Sequence, residues 1–193
     1  MAIHESTTIS GQVRTGRYVI VQINNGGDYL NLKEVKAFGE VQINASFHSH
    51  PYLLMMQWCG HHRTFVGAEL LQPFSAALSS EYLGFPATKC IDGDTEGPAK
   101  EGNMCHSKEP GEPSPWLAID YGVSVTVERV EIFTREDCCG NRIRNVHVRV
   151  SNELPSSGSQ MFSGDSLLGF FAGGAADGQH IIVSGKNEHL FYW

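Results

Sequence analysis

The sequence is poor in basic residues, in long apolar runs and in helical periodicity. Lys and Arg number 14 together, form no basic block, and leave a formal net charge of -7, so a nucleic-acid backbone is not an expected partner. The longest apolar run, YLLMM at 52–56, is too short to cross a bilayer. The start, MAIHESTTIS, has neither the charged nor the apolar region of a signal peptide. No stretch of ten or more residues combines helical periodicity with caps, so a helical fold is not expected.

Short alternating segments separated by turn residues make up most of the chain. There are 21 glycines and 8 prolines, and between them polar and apolar residues alternate at 17–23, 125–133 and 146–150. A period of two is that of a strand with one buried face. With 193 residues, 41% of them hydrophobic, the chain can bury one core. We therefore predict a single all-β domain, a sandwich or barrel, with its function in the loops.

Two of the five cysteines, Cys138 and Cys139, are adjacent. Several interpretations are open: structural cysteines with different partners, a metal site, a catalytic thiol, or a disulfide between neighbours. A metal site is disfavoured because no CxxC accompanies the pair. A vicinal disulfide would form a rigid apolar knuckle between Arg135 and Arg142, whose donor forks suit the vicinal hydroxyls of a sugar. Asp137 would then hold one of these forks in position.

Several motifs follow one another in an order typical of a known family. The residues from Arg135 to Arg142 spell R-x-D-x4-R around the cysteine pair, and NMCHSKEPGEPSPWLAIDYG lies upstream at 103–122. The stretch 89–97 reads KCIDGDTEG. Together they resemble the sugar-binding signature, histidine loop and calcium loop of F-type lectins, the fucose-binding lectins first described in eels. The resemblance implies a discoidin-like jelly-roll β-sandwich and a non-enzymatic domain that binds terminal α-L-fucose.

The resemblance also implies the residues of a sugar site. The hydrogen-bond donors would be His106, Arg135 and Arg142, and the Cys138–Cys139 disulfide would pack on the apolar face of the sugar ring. Asp137 would orient an arginine. A pocket for the 6-methyl group would come from the 78–85 loop, with Leu78, Tyr82, Leu83 and Phe85 as candidates.

A structural calcium ion is the cofactor that the resemblance implies. Its ligands would be carboxylates and carbonyl groups of Lys33, Glu34, Lys89, Asp92, Asp94 and Asn103, an oxygen set that suits this ion. The alternative for the DGD stretch is a simple Asp-Gly turn. The family's disulfide between the histidine loop and the last strand falls on Met104 and Lys33 here, so we expect Cys105 to pair with Cys90 instead.

The segment that usually ends the family domain comes first in this chain. TGRYVIVQINNGGDYLNLKEVKAFG at 15–39 resembles the family's C-terminal strands, and the usual start lies near 63–75. We predict one circularly permuted domain over 1–193. Residues 1–40 supply the C-terminal strands, 41–62 form a new connection, and 63–193 form the remainder. Closure within one chain is favoured over a domain swap or a piece of a tandem array, because each part is present once.

The connection at 44–63 has no counterpart in the family. Its histidines and Cys59 do not have the spacing of a compact zinc site. PYLLMMQW, at 51–58, is expected to pack as a lid rather than to stay exposed. Asn44 begins a glycosylation sequon that matters only in a secreted protein.

Two other function classes fit the sequence less well. A membrane or protein adhesion module would need the 52–58 stretch exposed beside basic residues, and few are near, so a membrane is not the expected partner. A glycosidase needs two facing carboxylates, whereas Glu136 and Asp137 are neighbours that cannot both face one sugar. Fucosylated glycans outside the cell are therefore the expected partners. A shallow site binds weakly, so a homo-oligomer would supply avidity.

Overall fold

A computed structural model of the chain describes residues 6–23, 29–42, 68–96, 102–108, 112–156 and 166–186. Within these ranges the chain forms strands and two short 3-10 helices, at Ala87–Cys90 and Gly140–Arg142. The strands are β1 (Ser6–Gln12), β2 (Arg14–Ile23), β3 (Asn31–Leu32), β4 (Glu34–Val41), β5 (Glu69–Leu70), β6 (Ser75–Leu78), β7 (Cys105–His106), β8 (Trp116–Phe133), β9 (Arg144–Ser151), β10 (Leu167–Gly174) and β11 (His180–Lys186). The three strand predictions at 17–23, 125–133 and 146–150 are confirmed, and each observed strand is longer than its alternating pattern.

Strand β8 organises the main sheet. It is 18 residues long and pairs antiparallel with β6 along its first half, with β4 and β11 along its second half, and with β2 at both 116–120 and 125–127. One strand can serve two sets of neighbours because Gly122, with φ of 74°, interrupts it near the middle.

The sheet nearly closes on itself, in the order β1-β11-β8-β2-β9-β10. Its two edge strands meet at Gly11 of β1, where a Cβ atom would lie 1.7 Å from the carbonyl oxygen of Leu168 in β10. Only glycine allows so close an approach of two backbones. The prediction of an all-β, jelly-roll type sandwich is confirmed.

The core lies between the inward faces of these strands. Val19, Val21 and Ile23 of β2 alternate into it and are fully buried, as are Leu117 and Ile119 of β8. Each such side chain contributes about 1.5–3 kcal/mol through the burial of apolar surface. The loops that leave this core are therefore held on a well-packed support.

The N-terminal strands complete the sheet of their own chain. β2 lies between β8 and β9, with Val19 opposite both Ile119 and Val150, and β4 runs along β8. In the structure of the single chain, these strands pair within that chain. Closure rather than a domain swap, the predicted domain bounds and the permuted order stay predictions, and 44–63, with Asn44 and Cys59, falls outside the described residues. In the described part of the chain, no helix has the length and apolar character to cross a membrane.

Candidate functional site

The histidine loop is held at three points. His106 ends β7, which pairs with β3 through Asn31 opposite His106 and Leu32 opposite Cys105. The His106 amide donates to the Phe85 carbonyl group at 3.1 Å. A disulfide joins Cys105 to Cys90, as expected, across a sequence separation of 15 residues. Closing a loop of this size stabilises the fold by about 3 kcal/mol. The imidazole of His106 is therefore fixed on a rigid loop.

The arginine loop begins where β8 ends. Arg135 donates from Nε to Asp137 Oδ1 at 3.2 Å and from a terminal nitrogen to Oδ2 at 2.8 Å, a two-point pair. Its carbonyl group accepts from the amide of Gly178. Asp137 thus orients the guanidinium of Arg135, the role expected for it from the sequence.

Cys138 and Cys139 form a vicinal disulfide. Both residues are half-buried, and Cys139 has φ of 69°, a left-handed conformation that costs energy for any residue but glycine. The turn that follows is packed tightly: the Gly140 amide donates to Asp177 Oδ1 at 2.7 Å, and a Cβ on Gly140 would meet the Ala176 carbonyl oxygen at 2.2 Å. The 176–178 turn therefore supports the sulfur knuckle from behind.

Arg142 lies at the end of the second 3-10 helix. The carbon of its guanidinium is 5.3 Å from the centre of the Tyr29 ring, within the range of a cation–π contact. The Tyr29 ring is in turn 5.0 Å from the imidazole of His106, measured between centroids. The Tyr29 ring therefore connects two of the three predicted sugar-binding residues.

The hydrogen bond of the His106 imidazole leaves Nε2 as an acceptor. Its Nδ1 is 2.5 Å from the Ser107 carbonyl oxygen, and because that oxygen can only accept, Nδ1 carries the proton. Burial lowers the pKa of His106, and the charges of Arg135 and Arg142 lower it further. The neutral ring therefore offers a lone pair at Nε2, which differs from the donor role expected from the sequence.

Two aromatic residues of the 78–85 loop line the site beside His106. The ring centres of Tyr82 and Phe85 are 5.7 Å and 6.0 Å from that of His106. Leu83 is 92% exposed, and Leu78 is half-buried and packs against the main core. Of the four pocket candidates, Tyr82 and Phe85 are the two whose rings lie beside His106.

Glu34 is the most buried carboxylate among the predicted calcium ligands. Its residue is 3% exposed, and its Oε2 atom has no hydrogen-bond partner among the described residues. The carboxylate accepts from the amides of Gly93 and Asp92, yet burial raises its pKa to about 7. A cavity of about 170 Å³, lined in part by Asp92, Gly93 and Tyr121, adjoins it. This end of the predicted ligand set can accept a cation, because an oxygen there lacks a partner.

The other end of that set already has a positive charge. Lys33 is fully buried, and its Nζ atom is 3.2 Å from Asp94 Oδ2 and 3.1 Å from the Asn103 carbonyl oxygen. The pKa of Asp94 is lowered by the hydrogen bond from the Glu96 amide and by Lys33. In the described ranges no three His, Cys, Asp or Glu residues are grouped as a metal site. Lys33 therefore ties the DGD turn to the histidine loop.

Lys89 also meets the DGD turn. Its Nζ atom is 3.2 Å from Asp92 Oδ2, while Asp92 Oδ1 accepts from the Asp94 amide at 3.1 Å. The pair is partly exposed, so it contributes little stability by itself. The turn keeps its shape through this local pairing and through Gly93, whose φ of 88° requires glycine.

Two residues of the site were missed by sequence reasoning, Tyr29 and the side chain of Lys33. Tyr29 lies in a polar, glycine-rich stretch with no pattern that marks a site. Lys33 was assigned only a carbonyl ligand, because a lysine next to a strand is ordinarily solvated. One feature of the sequence pointed to Lys33: it occupies one of the two positions that the family's disulfide would join, and Met104 occupies the other.

Comparison with known proteins supports the interpretation of these loops. Residues 89–165 match the family model of the NedA-like, galactose-binding domain. The chain is 33% identical over 85 residues to a fucolectin of Anguilla anguilla, covering 44% of this chain and 52% of the relative. It is 34% identical over 68 residues to fucolectin-5 of Anguilla japonica, covering 35% of each. A pentraxin fusion protein of Xenopus laevis is 31% identical over 94 residues, 48% of this chain and 22% of the relative.

These matches support an F-type lectin domain. The chain spans about half or less of the length of these relatives. No solved structure matches it significantly. The family model begins at Lys89, so the N-terminal strands β1, β2 and β4 lie outside that match.

Proposed function

We propose that this F-type lectin domain binds terminal α-L-fucose on glycans and catalyses no reaction. One observation supports the proposal: Arg135 and Arg142, which flank the Cys138–Cys139 disulfide in the chain, both lie near enough to His106 for their charges to lower its pKa. This arrangement offers donors and an acceptor next to a compact apolar surface, which is the chemistry that a sugar ring presents. The names of the relatives as fucolectins agree with it.

Each group has a distinct task in this proposal. The forks of Arg135 and Arg142 donate to neighbouring sugar oxygens, because a guanidinium can serve two acceptors at once. His106 Nε2 accepts from a sugar hydroxyl group, since its other nitrogen is occupied by the Ser107 carbonyl group. The disulfide packs on the C–H face of the ring. Tyr82 and Phe85 supply apolar surface for the 6-methyl group.

Titration calorimetry with three monosaccharides tests the proposal. L-Fucose should bind, and L-galactose, which adds only a 6-hydroxyl group, should bind more weakly because that group would enter an apolar pocket. D-Galactose, the mirror-image arrangement, should not bind measurably. Preference for D-galactose over L-fucose would contradict the assignment.

We also propose a structural calcium ion. Glu34 and Asp92 would hold it through carboxylates, with carbonyl or amide oxygens of the remaining predicted ligands: Lys33, Lys89, Asp94 and Asn103. The partnerless buried oxygen of Glu34 supports a cation there. The Lys33 ammonium limits the fit at the Asp94–Asn103 end, where it would repel an ion placed close by. When bound, the ion would neutralise Glu34 and brace the loop that carries His106.

The setting that follows from these proposals is extracellular. A disulfide between residues 90 and 105 and a vicinal pair at 138–139 persist in oxidising surroundings. Fucosylated glycans on cell surfaces or secreted proteins would be the partners. A site open at the surface makes few contacts, so a homo-oligomer would supply the avidity.

A further inference from the structure

We propose that Tyr29 is a positioning residue of the sugar site, and that it orients Arg142 without using any of its hydrogen-bond donors. The proposal rests on the proposed sugar-binding function and adds to it a residue from the N-terminal strands. The basis is the pair of contacts that the Tyr29 ring makes, with the Arg142 guanidinium at 5.3 Å and the His106 imidazole at 5.0 Å.

The backbone on either side of this contact is fixed. The Leu30 amide donates to Ser107 Oγ at 2.9 Å, and the Ser107 amide donates to the Leu30 carbonyl group at 2.8 Å. Tyr29 thus precedes Leu30, which makes two hydrogen bonds with the histidine loop. Because these bonds fix Leu30 relative to His106, the half-buried Tyr29 is held in position beside the histidine.

The two arginines are oriented by different means. Arg135 donates hydrogen bonds from Nε and from a terminal nitrogen to the carboxylate of Asp137. Arg142 pairs with no carboxylate among the described residues, and the ring face of Tyr29 is the partner that restrains it. A cation held over a ring face keeps its in-plane N–H groups available. Arg142 therefore reaches the sugar with its donor fork intact.

The ring also reduces the electrostatic cost of the site. Arg135 and Arg142 both act on His106 as positive charges and lower its pKa. The negative face of the Tyr29 ring offsets the charge of Arg142 without a carboxylate that would compete with a sugar hydroxyl group for the fork. This choice of partner suits a neutral, hydroxyl-rich ligand.

Substitutions at position 29 and titration of L-fucose by calorimetry test the proposal. Tyr29→Phe keeps the ring face and should leave the Kd within about twofold. Tyr29→Leu removes the ring face and should raise the Kd about 3- to 30-fold, the range of a cation–π contact. Tyr18→Leu is the matched control and should leave the Kd unchanged, because the Tyr18 ring lies 5.2 Å from the Arg17 guanidinium on β2, in none of the loops of the proposed site.

A series of fluorinated phenylalanines at position 29 separates positioning from packing. Fluorine withdraws charge from the ring face but barely changes its size, so the Kd should rise steadily with each added fluorine. A Kd that is insensitive to fluorination, or a Tyr29→Leu variant that binds as well as the wild type, would overturn the proposal. Because this series preserves ring volume, it remains informative even if Tyr29→Leu does not fold.

The Arg142 side-chain NMR signals provide a readout that needs no sugar. The Tyr29 ring should shift the Arg142 Hε signal upfield by its ring current, and Tyr29→Leu should abolish that shift. If the wild-type protein shows the upfield Arg142 signal but does not bind L-fucose, the assignment of a sugar site is wrong and the contact between Tyr29 and Arg142 is still supported. A wild-type protein that binds L-fucose without the shift would overturn the role of Tyr29 alone.

Discussion

Replacing Arg135 with alanine should abolish most of the affinity for L-fucose while the fold is kept. In the structure the Arg135 guanidinium is oriented by two hydrogen bonds to Asp137, of 3.2 Å and 2.8 Å. In the proposal, its remaining N–H groups donate to the sugar. A hydrogen bond to a charged group contributes about 1.5–3 kcal/mol, so the loss should raise the Kd about 10- to 150-fold.

The same substitution should change stability little. The side chains of Arg135 and Asp137 are 14% and 31% exposed, and partly exposed ion pairs contribute about 0–1 kcal/mol to unfolding free energy. The melting temperature should therefore fall by only a few degrees. Calorimetry with L-fucose and a thermal melt measure the two effects on one sample.

Arg17 provides a matched control. It pairs with Asp120 in the same two-point way, at 2.7 Å for both contacts, but it lies on β2 and not in the 134–142 loop. Arg17→Ala should change stability by a similar amount and leave the Kd unchanged. If Arg17→Ala and Arg135→Ala weakened fucose binding equally, or if Arg135→Ala bound within twofold of the wild type, the site assignment would be wrong.

Three further perturbations follow from the same geometry. L-Fucose affinity should be level above pH 6.5 and fall as the pH drops through the lowered pKa of His106. Protonation removes the Nε2 acceptor and adds a positive charge beside Arg135 and Arg142. Calorimetry across pH 4.5–8 measures this, and an affinity that rises on acidification would refute it. A non-reduced digest should yield one peptide that carries Cys138 and Cys139 and is lighter by two hydrogens; either sulfur cross-linked elsewhere would end the knuckle argument. Calcium should raise the melting temperature of the wild type, and Glu34→Ala should abolish that rise. The same substitution should weaken fucose binding. An unchanged calcium-dependent rise in melting temperature would show that Glu34 is not a ligand.

The sequence predicted the strands well, for identifiable reasons. β2 and β9 have one buried face, so their alternation of apolar and polar residues is visible in the letters. Arg135, Asp137 and the cysteine pair are close together because they are adjacent in sequence. The Cys90–Cys105 disulfide was one candidate pairing among the three other cysteines, and the sequence did not decide it.

What the sequence did not predict depends on contacts between distant segments. Tyr29 meets Arg142 only because β3 pairs with β7, and a two-residue strand leaves no periodic pattern. The buried ammonium of Lys33 is stabilised by acceptors that the DGD turn and Asn103 bring to it. The proton position on His106 depends on the carbonyl direction of Ser107, which is a property of the folded loop.

The sequence likewise did not predict that the 176–178 turn packs against the turn that carries the Cys138–Cys139 disulfide. Nothing in the sequence distinguishes Gly140 from an ordinary turn residue. In the fold, Gly140 lets the backbone of Ala176 approach closely, and the Gly140 amide donates to Asp177. Glycine at such a position cannot be distinguished in sequence from glycine chosen for flexibility. The site therefore depends on a second loop that carries no sugar-binding residue.

A crystal structure of the protein with L-fucose tests the central claim most directly. The account predicts that the sugar lies against the Cys138–Cys139 disulfide, with one hydroxyl group donating to His106 Nε2 and neighbouring oxygens accepting from Arg135 and Arg142. The 6-methyl group should face Tyr82 and Phe85. Fucose bound elsewhere on the sheet, or bound in these loops without contact to either arginine, would contradict the account.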